Sequence, residues 1–156
     1  MIIDGAHPKW NDVAAVLVEY AVAVQPDERV LLIMREPETF AAARAVAARC
    51  VKAGAHVQTL FSATAMQRDL LLSGSEDQIG TVPELWRQGM KWADVCIDLR
   101  GARNLFEFFN VPSERIARMR KAEGEIAALR TAETRWTLLR IPTEAFAQAA
   151  GRSNED

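Results

Sequence analysis

Val30-Leu31-Leu32-Ile33-Met34 is the stretch of sequence that decides the fold. An uninterrupted apolar run of this length is typical of a strand buried on both faces, as in a parallel sheet. The alanine-rich segment 40–53 that follows has helical spacing, and Gly54 stands where a glycine commonly ends a helix. Segment 56–61 is then a second strand. This strand, helix and strand occupy about 32 residues, the length of a βαβ unit.

The alternation of strands and helices continues along the whole chain. A helix is predicted ahead of the first strand, capped by Asn11 or Asp12, and the long helix near residues 114–132 either continues through Gly124 or breaks there. The remaining predicted elements are helices at 65–72, 83–92 and 145–150, and strands at 94–99 and 136–139. We therefore predict a single α/β domain over residues 1–156, with an open, mostly parallel Rossmann-like sheet and helices on both faces.

Composition excludes several classes of function. The 156 residues are 49% hydrophobic and 26% charged, which is ordinary for a soluble globular protein. A net charge of −2 offers no electrostatic footprint for nucleic acid or for an anionic membrane surface. No apolar run approaches the ~20 residues of a membrane span, and residues 1–5 do not read as a signal peptide. We expect a cytoplasmic protein.

The two cysteines, Cys50 and Cys96, fall on different predicted elements, a helix and a strand. A single disulfide is one possibility. Two buried, reduced thiols are the favoured alternative, because free cysteine behaves as a small core hydrophobe in cytoplasmic proteins.

Common catalytic and cofactor motifs are missing from the sequence. Met34-Arg35-Glu36-Pro37 follows the first strand where a dinucleotide fold would carry glycines, and no phosphate-binding loop or nucleophile elbow occurs. The only histidines are His7 and His56, with no metal-ligand spacing. The acids around Glu123 alternate with basic residues as on a solvated helix face. We therefore predict no catalytic residue and no bound metal in this chain.

Four polar residues near predicted strand ends are the candidate ligand or domain-interface residues: Arg35 after the first strand, Arg100 and Asn104 after the third, and Arg140 after the fourth. Ligands of open α/β sheets bind outside the carboxyl ends of the strands. The arginines would suit a carboxylate, or acids on a partner domain. The alternative is that they are ordinary surface arginines at loop entries.

Several phrases of the sequence together resemble one family. They are residues 22–31, 53–57, 93–97 and 111–115, and above all Arg135-Trp136-Thr137-Leu138-Leu139-Arg140-Ile141-Pro142-Thr143. In this order and spacing they resemble the aminopeptidase T and aminopeptidase S group of metallopeptidases, the thermophilic metalloprotease family. The resemblance covers essentially all 156 residues, but only the N-terminal part of such an enzyme.

The resemblance implies a non-catalytic N-terminal domain of a metal-dependent aminopeptidase that removes N-terminal residues from small peptides. In the family, paired divalent metal ions (Zn, Co or Mn) are held by residues of the second half, and no position of this chain matches those ligands. The implied partners are the chain's own C-terminal catalytic domain and a second copy in a homodimer, with no nucleic acid or membrane. The alternative is a standalone α/β module that binds a ligand or a partner without catalysis.

Residues 153–156, the last of the sequence, have the pattern that is typical of the beginning of a helix. Ser153 suits an N-cap, and Glu155 and Asp156 would follow in the first turn, where carboxylates favour the positive end of the helix dipole. The sequence therefore predicts a domain boundary here, although a polar tail would look similar.

Overall fold

The computed structural model describes residues 8–153, in which four strands form a single all-parallel sheet. The strands are β1 (Arg29–Arg35), β2 (His56–Ser62), β3 (Val95–Arg100) and β4 (Arg135–Arg140). Their order across the sheet is β2-β1-β3-β4. The strand that follows β1 in the chain, β2, lies on one side of the central pair β1 and β3, and the strand that follows β3, β4, lies on the other side. The predicted fold class is confirmed.

Helices connect the strands in the alternating order that the sequence predicts. They are α1 (Pro8–Ala15), which continues as a π-helical segment (Val16–Ala21), α2 (Phe40–Lys52), α3 (Thr64–Ser73), α4 (Glu76–Gly80), α5 (Glu84–Trp92), α6 (Ser113–Glu133) and α7 (Glu144–Ala149). A short 3₁₀ turn, Pro37–Thr39, leads from β1 into α2. The predicted helix start at 153–156 falls mostly on residues 154–156, outside the described residues.

Both faces of β1 are buried, which explains its continuous apolar sequence. Val30 and Leu32 pack with α1 and α2 on one face, whereas Leu31 and Ile33 pack with α5 and α6 on the other. Side chains alternate between the faces of a strand, so a strand covered on both sides must be apolar at every position.

One local prediction is corrected, one open alternative is decided and one prediction is confirmed. Asn11 and Asp12 do not cap the first helix but lie within α1, which extends back to Pro8. Helix α6 runs without a break through Gly124, where an added Cβ would meet nothing within 4 Å. An exposed glycine with room around it weakens a helix without bending it. Gly54 does end α2 as predicted, with a φ of +84° that other residues rarely adopt.

The two cysteines are free and buried, as favoured above. Cys50 belongs to α2 and packs in the core between that helix and the sheet, whereas Cys96 belongs to β3 and packs on the other face of the sheet, beneath α5 and α6. Burial raises the pKa of Cys50 to about 11 and that of Cys96 to about 12. Thiolate is the reactive form, so both groups are protected chemically as well as sterically.

We therefore expect neither cysteine to react with a thiol reagent such as dithionitrobenzoate while the protein is folded. Two equivalents should react after unfolding in guanidinium chloride. Rapid reaction of one equivalent in the native protein, or no reaction after unfolding, would contradict the buried, reduced state.

An ion pair joins the beginnings of β1 and β3. The Arg29 guanidinium donates from Nε to Asp94 Oδ2 at 3.0 Å and from Nη2 to Oδ1 at 2.8 Å. The backbone N–H of Arg29 also donates to Asp94 Oδ2, at 2.9 Å. These hydrogen bonds lower the pKa of Asp94 to about 2. Because the folded state holds the ionised form, this pair stabilises the fold above about pH 4 and loses its effect as the pH falls toward 2.

Asp94→Asn is expected to lower the melting temperature at pH 7 by about 2 °C, since partly exposed pairs contribute little each. The difference between wild type and variant should shrink as the pH is lowered below about 4, which thermal unfolding followed by circular dichroism would record. Asp69→Asn, at an exposed position of α3, is the control and should stay within about 1 °C of wild type. An unchanged Asp94→Asn difference at pH 3 would exclude the ion pair as its cause.

Candidate functional site

The carboxyl ends of β1 and β3 form the point at which the strand order reverses. In the parallel register Arg35 lies beside Arg100, and Ile33 lies beside Asp98. Alternation along the strands places Arg35, Asp98 and Arg100 on the same face as Leu31 and Cys96, the face covered by α5 and α6. Open α/β sheets bind ligands at this kind of switch point.

Asp98 is fully buried and holds three guanidinium groups together. Its Oδ1 accepts from Arg35 Nε at 2.9 Å. Its Oδ2 accepts from Arg100 Nε at 3.1 Å and Nη2 at 2.9 Å, and from Arg130 Nη1 at 3.4 Å. One carboxylate therefore faces three positive charges, which leaves the cluster with a formal charge of 3 − 1 = +2.

Two tryptophans cover the arginines of this cluster. Arg35 lies over the Trp86 ring at 5.0 Å from its centroid, and Arg130 lies over the Trp136 ring at 4.4 Å. In such a cation–π contact the aromatic ring covers the face of the guanidinium and holds it in place. The N–H groups of the guanidinium point outward in its own plane and can still donate hydrogen bonds. They also explain how Trp136, on an edge strand and 42% exposed, is partly shielded from water.

A cavity of about 440 Å³ opens over the cluster. Arg35, Arg100 and Arg130 line its basic side. Its apolar side is lined by residues of β2, α3, α5 and α6: Phe61, Met66, Leu70, Trp86, Met90 and Ile126. This volume and this mixture of apolar wall and a few charged groups are typical of small-molecule sites.

Glu123 lies inside this cavity and not on a solvated helix face, which corrects the prediction above. Its Oε1 accepts from Gln67 Nε2 at 2.8 Å. Burial raises the pKa of Glu123, and the nearby positive charges of Arg35, Arg120 and Arg100 oppose that rise. Because α6 is a long helix, its charge pattern alone does not reveal which turn faces the sheet.

A smaller cavity of about 290 Å³ adjoins the first and brings together three of the four predicted site residues, Arg35, Arg100 and Arg140. Arg140 lies over the Phe146 ring at 5.7 Å. Asn104 lines neither cavity. It sits in the loop after β3, where its Oδ1 accepts from the Phe106 backbone N–H at 2.9 Å. A ligand-binding role for the four residues remains a prediction.

Glu36 is the first residue after β1, and its buried side chain links the turn there to the beginning of α3. It is buried, and its φ of +78° is unusual for a residue with a side chain. Its Oε1 accepts from the Thr64 backbone N–H at 2.6 Å and from the Thr64 hydroxyl, and so caps the beginning of α3. A carboxylate in this position occupies the place where a dinucleotide fold presents glycine N–H groups to phosphate.

Residues 8–153, the part of the chain that the structure describes, do not fit a metal centre. His56 is the only histidine between residues 8 and 153, and it lies exposed at the beginning of β2, at the opposite edge of the sheet from the cluster. Within that range no three His, Cys, Asp or Glu side chains converge in a way that could hold a metal ion. Asp98, the most buried acid near the cavity, already accepts from three arginines.

Sequence reasoning missed Asp98 and Arg130, the residues that tie the cluster together. Asp98 had a usable signal, since it is a charged residue inside the otherwise apolar strand sequence Val95-Cys96-Ile97-Asp98-Leu99. A buried carboxylate requires cationic or hydrogen-bonding partners, so such a residue indicates a charged site nearby. Arg130 had no comparable signal among the other arginines of α6.

A parallel sheet with helices on both faces and a basic cavity at its switch point defines a Rossmann-like α/β protein. The chain belongs to the thermophilic metalloprotease (M29) family, whose sequence model matches residues 6–155. The family resemblance inferred from the sequence is therefore confirmed. No curated protein matches the chain significantly.

Among solved structures, wild-type AmpT from Thermus thermophilus is similar, with a TM-score of 0.76 at 16% identity. The match covers 94% of this chain and 39% of the AmpT chain, so this chain spans well under half of that protein. CurK enoyl reductase is a weaker match, with a TM-score of 0.41 at 14% identity over 91% of this chain and 44% of that one. None of the helices described between residues 8 and 153 has the length and apolar character to cross a membrane.

Asp98→Asn is expected to lower the free energy of unfolding by about 3 kcal/mol, because it leaves three gathered guanidinium groups without their counter-charge. Urea unfolding at pH 7 would measure the loss. Asp94→Asn, which breaks a partly exposed pair on the same strand pair, should cost far less. A loss at Asp98 no larger than that at Asp94 would show that the buried carboxylate does not hold the cluster together.

Proposed function

We propose that this chain serves as the non-catalytic N-terminal domain of a metal-dependent aminopeptidase that removes N-terminal residues from small peptides. The family match over residues 6–155, together with coverage of 39% of the AmpT chain, is the observation that carries the proposal. A divalent ion, Zn, Co or Mn, would supply a Lewis acid and an activated water in the complete enzyme. Its ligands would lie outside the residues described here.

The role proposed for the domain is to frame the active-site cavity and to limit access to it. Its partners would be the chain's own C-terminal catalytic domain and a second copy in a homodimer, in the cytoplasm. Support comes from the edge of the sheet where the cavity opens. The loop after β3 exposes large apolar side chains there, with Phe106 74% and Phe109 85% exposed. Two large aromatic side chains exposed on one short loop would be removed from water if another domain packed on this edge.

We expect the purified 156-residue chain to release no p-nitroaniline from leucine p-nitroanilide, whether Zn²⁺, Co²⁺ or Mn²⁺ is added. Absorbance measures the product, and AmpT assayed under the same conditions is the positive control. Circular dichroism would establish that the chain is folded during the assay. Metal-dependent hydrolysis by the pure chain would overturn the non-catalytic role.

The gene beyond the codon for Asp156 provides a second test. An open reading frame that continues with well-spaced Glu, His and Asp codons supports the proposal, and the activity would then be measured on the longer protein. An immediate stop codon would remove the aminopeptidase role from this chain.

A second candidate function, a standalone binding module, is favoured by the cavity itself. Three arginines at the switch point of an α/β sheet are a binding arrangement that needs no further domain. A thermal-shift panel of acidic metabolites and nucleotides tests this function, since a ligand bound only by the native state raises the melting temperature. No shift with any of them would count against it.

A further inference from the structure

The cavity at the ends of β1 and β3 has an excess of positive charge that the protein itself does not neutralise. Arg35, Arg100 and Arg130 carry three positive charges around the single carboxylate of Asp98. Over the two adjoining cavities, Arg35, Arg100, Arg130 and Arg140 face the carboxylates of Asp98, Glu36 and Glu123, so the sum is 4 − 3 = +1 if Glu123 is ionised and 4 − 2 = +2 if it is protonated. In either state the site favours an anion, and the partly buried position strengthens that preference relative to an exposed patch.

Arg130 has hydrogen-bonding capacity left over. Its side chain is only 13% exposed, and its closest acceptor, Asp98 Oδ2, is 3.4 Å from Nη1, a long hydrogen bond. Its Nε is buried and has no acceptor. Because the Arg130 side chain lines the cavity and its hydrogen bond to Asp98 is long, a ligand oxygen that reached the guanidinium from the cavity would add an interaction that the free protein lacks.

The opposite side of the cavity suits a hydrocarbon group. Phe61 and Met66 stand at its mouth with 46% and 64% of their surface exposed, and Trp86 forms a wall beside Arg35. Contact with an apolar ligand would remove this surface from water. A ligand with several phosphate groups fits less well than one with a single carboxylate, because it carries more negative charge than the small positive excess of the site compensates, and the Glu36 carboxylate lines the adjoining cavity beside Arg35 and Arg100. A single planar carboxylate matches the fork geometry of a guanidinium.

We propose that this cavity binds the carboxylate group of a small organic acid with an apolar body, with the carboxylate on Arg100 and Arg130 and the body against Trp86, Phe61 and Met66. Two sources share this chemistry, the α-carboxylate of a short apolar peptide and a free branched-chain or aromatic acid. The site rests on the residues of this chain alone and does not require the proposed peptidase role.

The test is calorimetric titration of the 156-residue chain with 4-methylpentanoate and with 4-methylpentanamide, which has nearly the same shape and no charge. The acid is expected to bind at least tenfold more tightly than the amide, because only the acid forms charge-assisted hydrogen bonds with the arginines. Leucyl-leucine and leucyl-leucinamide form a second pair. Tighter binding of leucyl-leucine than of 4-methylpentanoate would identify the peptide as the source. Equal binding of each acid and its amide, or no binding of either acid, overturns the proposal.

Arg130→Gln should weaken binding of 4-methylpentanoate about tenfold while Asp98 keeps its pairs with Arg35 and Arg100. Arg103→Gln is the matched control, because Arg103 is an exposed arginine that pairs with Glu38 outside the cavity, and its affinity should equal that of wild type. Should Arg130→Gln fail to fold, the arginine side-chain Nε–H resonances of the wild type provide the same information. Those of Arg100 and Arg130 should shift on addition of the acid while that of Arg103 stays in place, and the reverse pattern would overturn the proposal.

Binding and catalysis are read separately in these experiments. Hydrolysis of leucine p-nitroanilide by the pure chain would contradict the non-catalytic role and leave the carboxylate site standing. Equal affinities for acid and amide would remove the carboxylate site and leave the family membership and the proposed domain role unaffected.

Discussion

Burial of both faces of β1 and β3 is the constraint on which the rest of this structure depends. These two central strands have helices above and below, so their side chains must be apolar at nearly every position. The helices α1 and α2 cover one face, while α5 and α6 cover the other. Polar side chains are thereby placed mostly at the two ends of the strands, and the two cavities that the arginines line form at the carboxyl ends.

Asp98 is a charged residue in one of these apolar strands, and it holds the arginines of the site together. A carboxylate buried in a strand would be strongly destabilising alone. Here three guanidinium groups from two strands and one helix converge on it, and two tryptophan rings hold two of those groups in position. Buried ion clusters of this kind contribute little net stability, but they place charged groups with precision. The main effect of the cluster is therefore to position the arginines and not to stabilise the fold.

The chain belongs to the thermophilic metalloprotease family, and among its described residues the arginines at the switch point line one cavity. The described residues offer cationic and apolar groups, which bind and orient, and few of the histidines that a metal centre uses. The exposed aromatic side chains after β3 lie at the same edge of the sheet as the basic cavity, so any domain that covers them would also stand close to the mouth of that cavity.

The sequence by itself determined the fold class, the positions of the four strands to within about a residue at each end, the Gly54 turn and the family. Periodicity and the unbroken apolar runs carry that information because burial on both faces acts on every residue of a strand. It also placed Arg35, Arg100 and Arg140 at strand ends, since strand ends follow from the same runs. Only the tertiary structure decided that β1 and β3 are neighbours, that Arg130 and Glu123 face the sheet, and that Asn104 does not join the cavity. Those facts depend on strand order and helix rotation, which arise from contacts between residues distant in the chain and leave no local pattern.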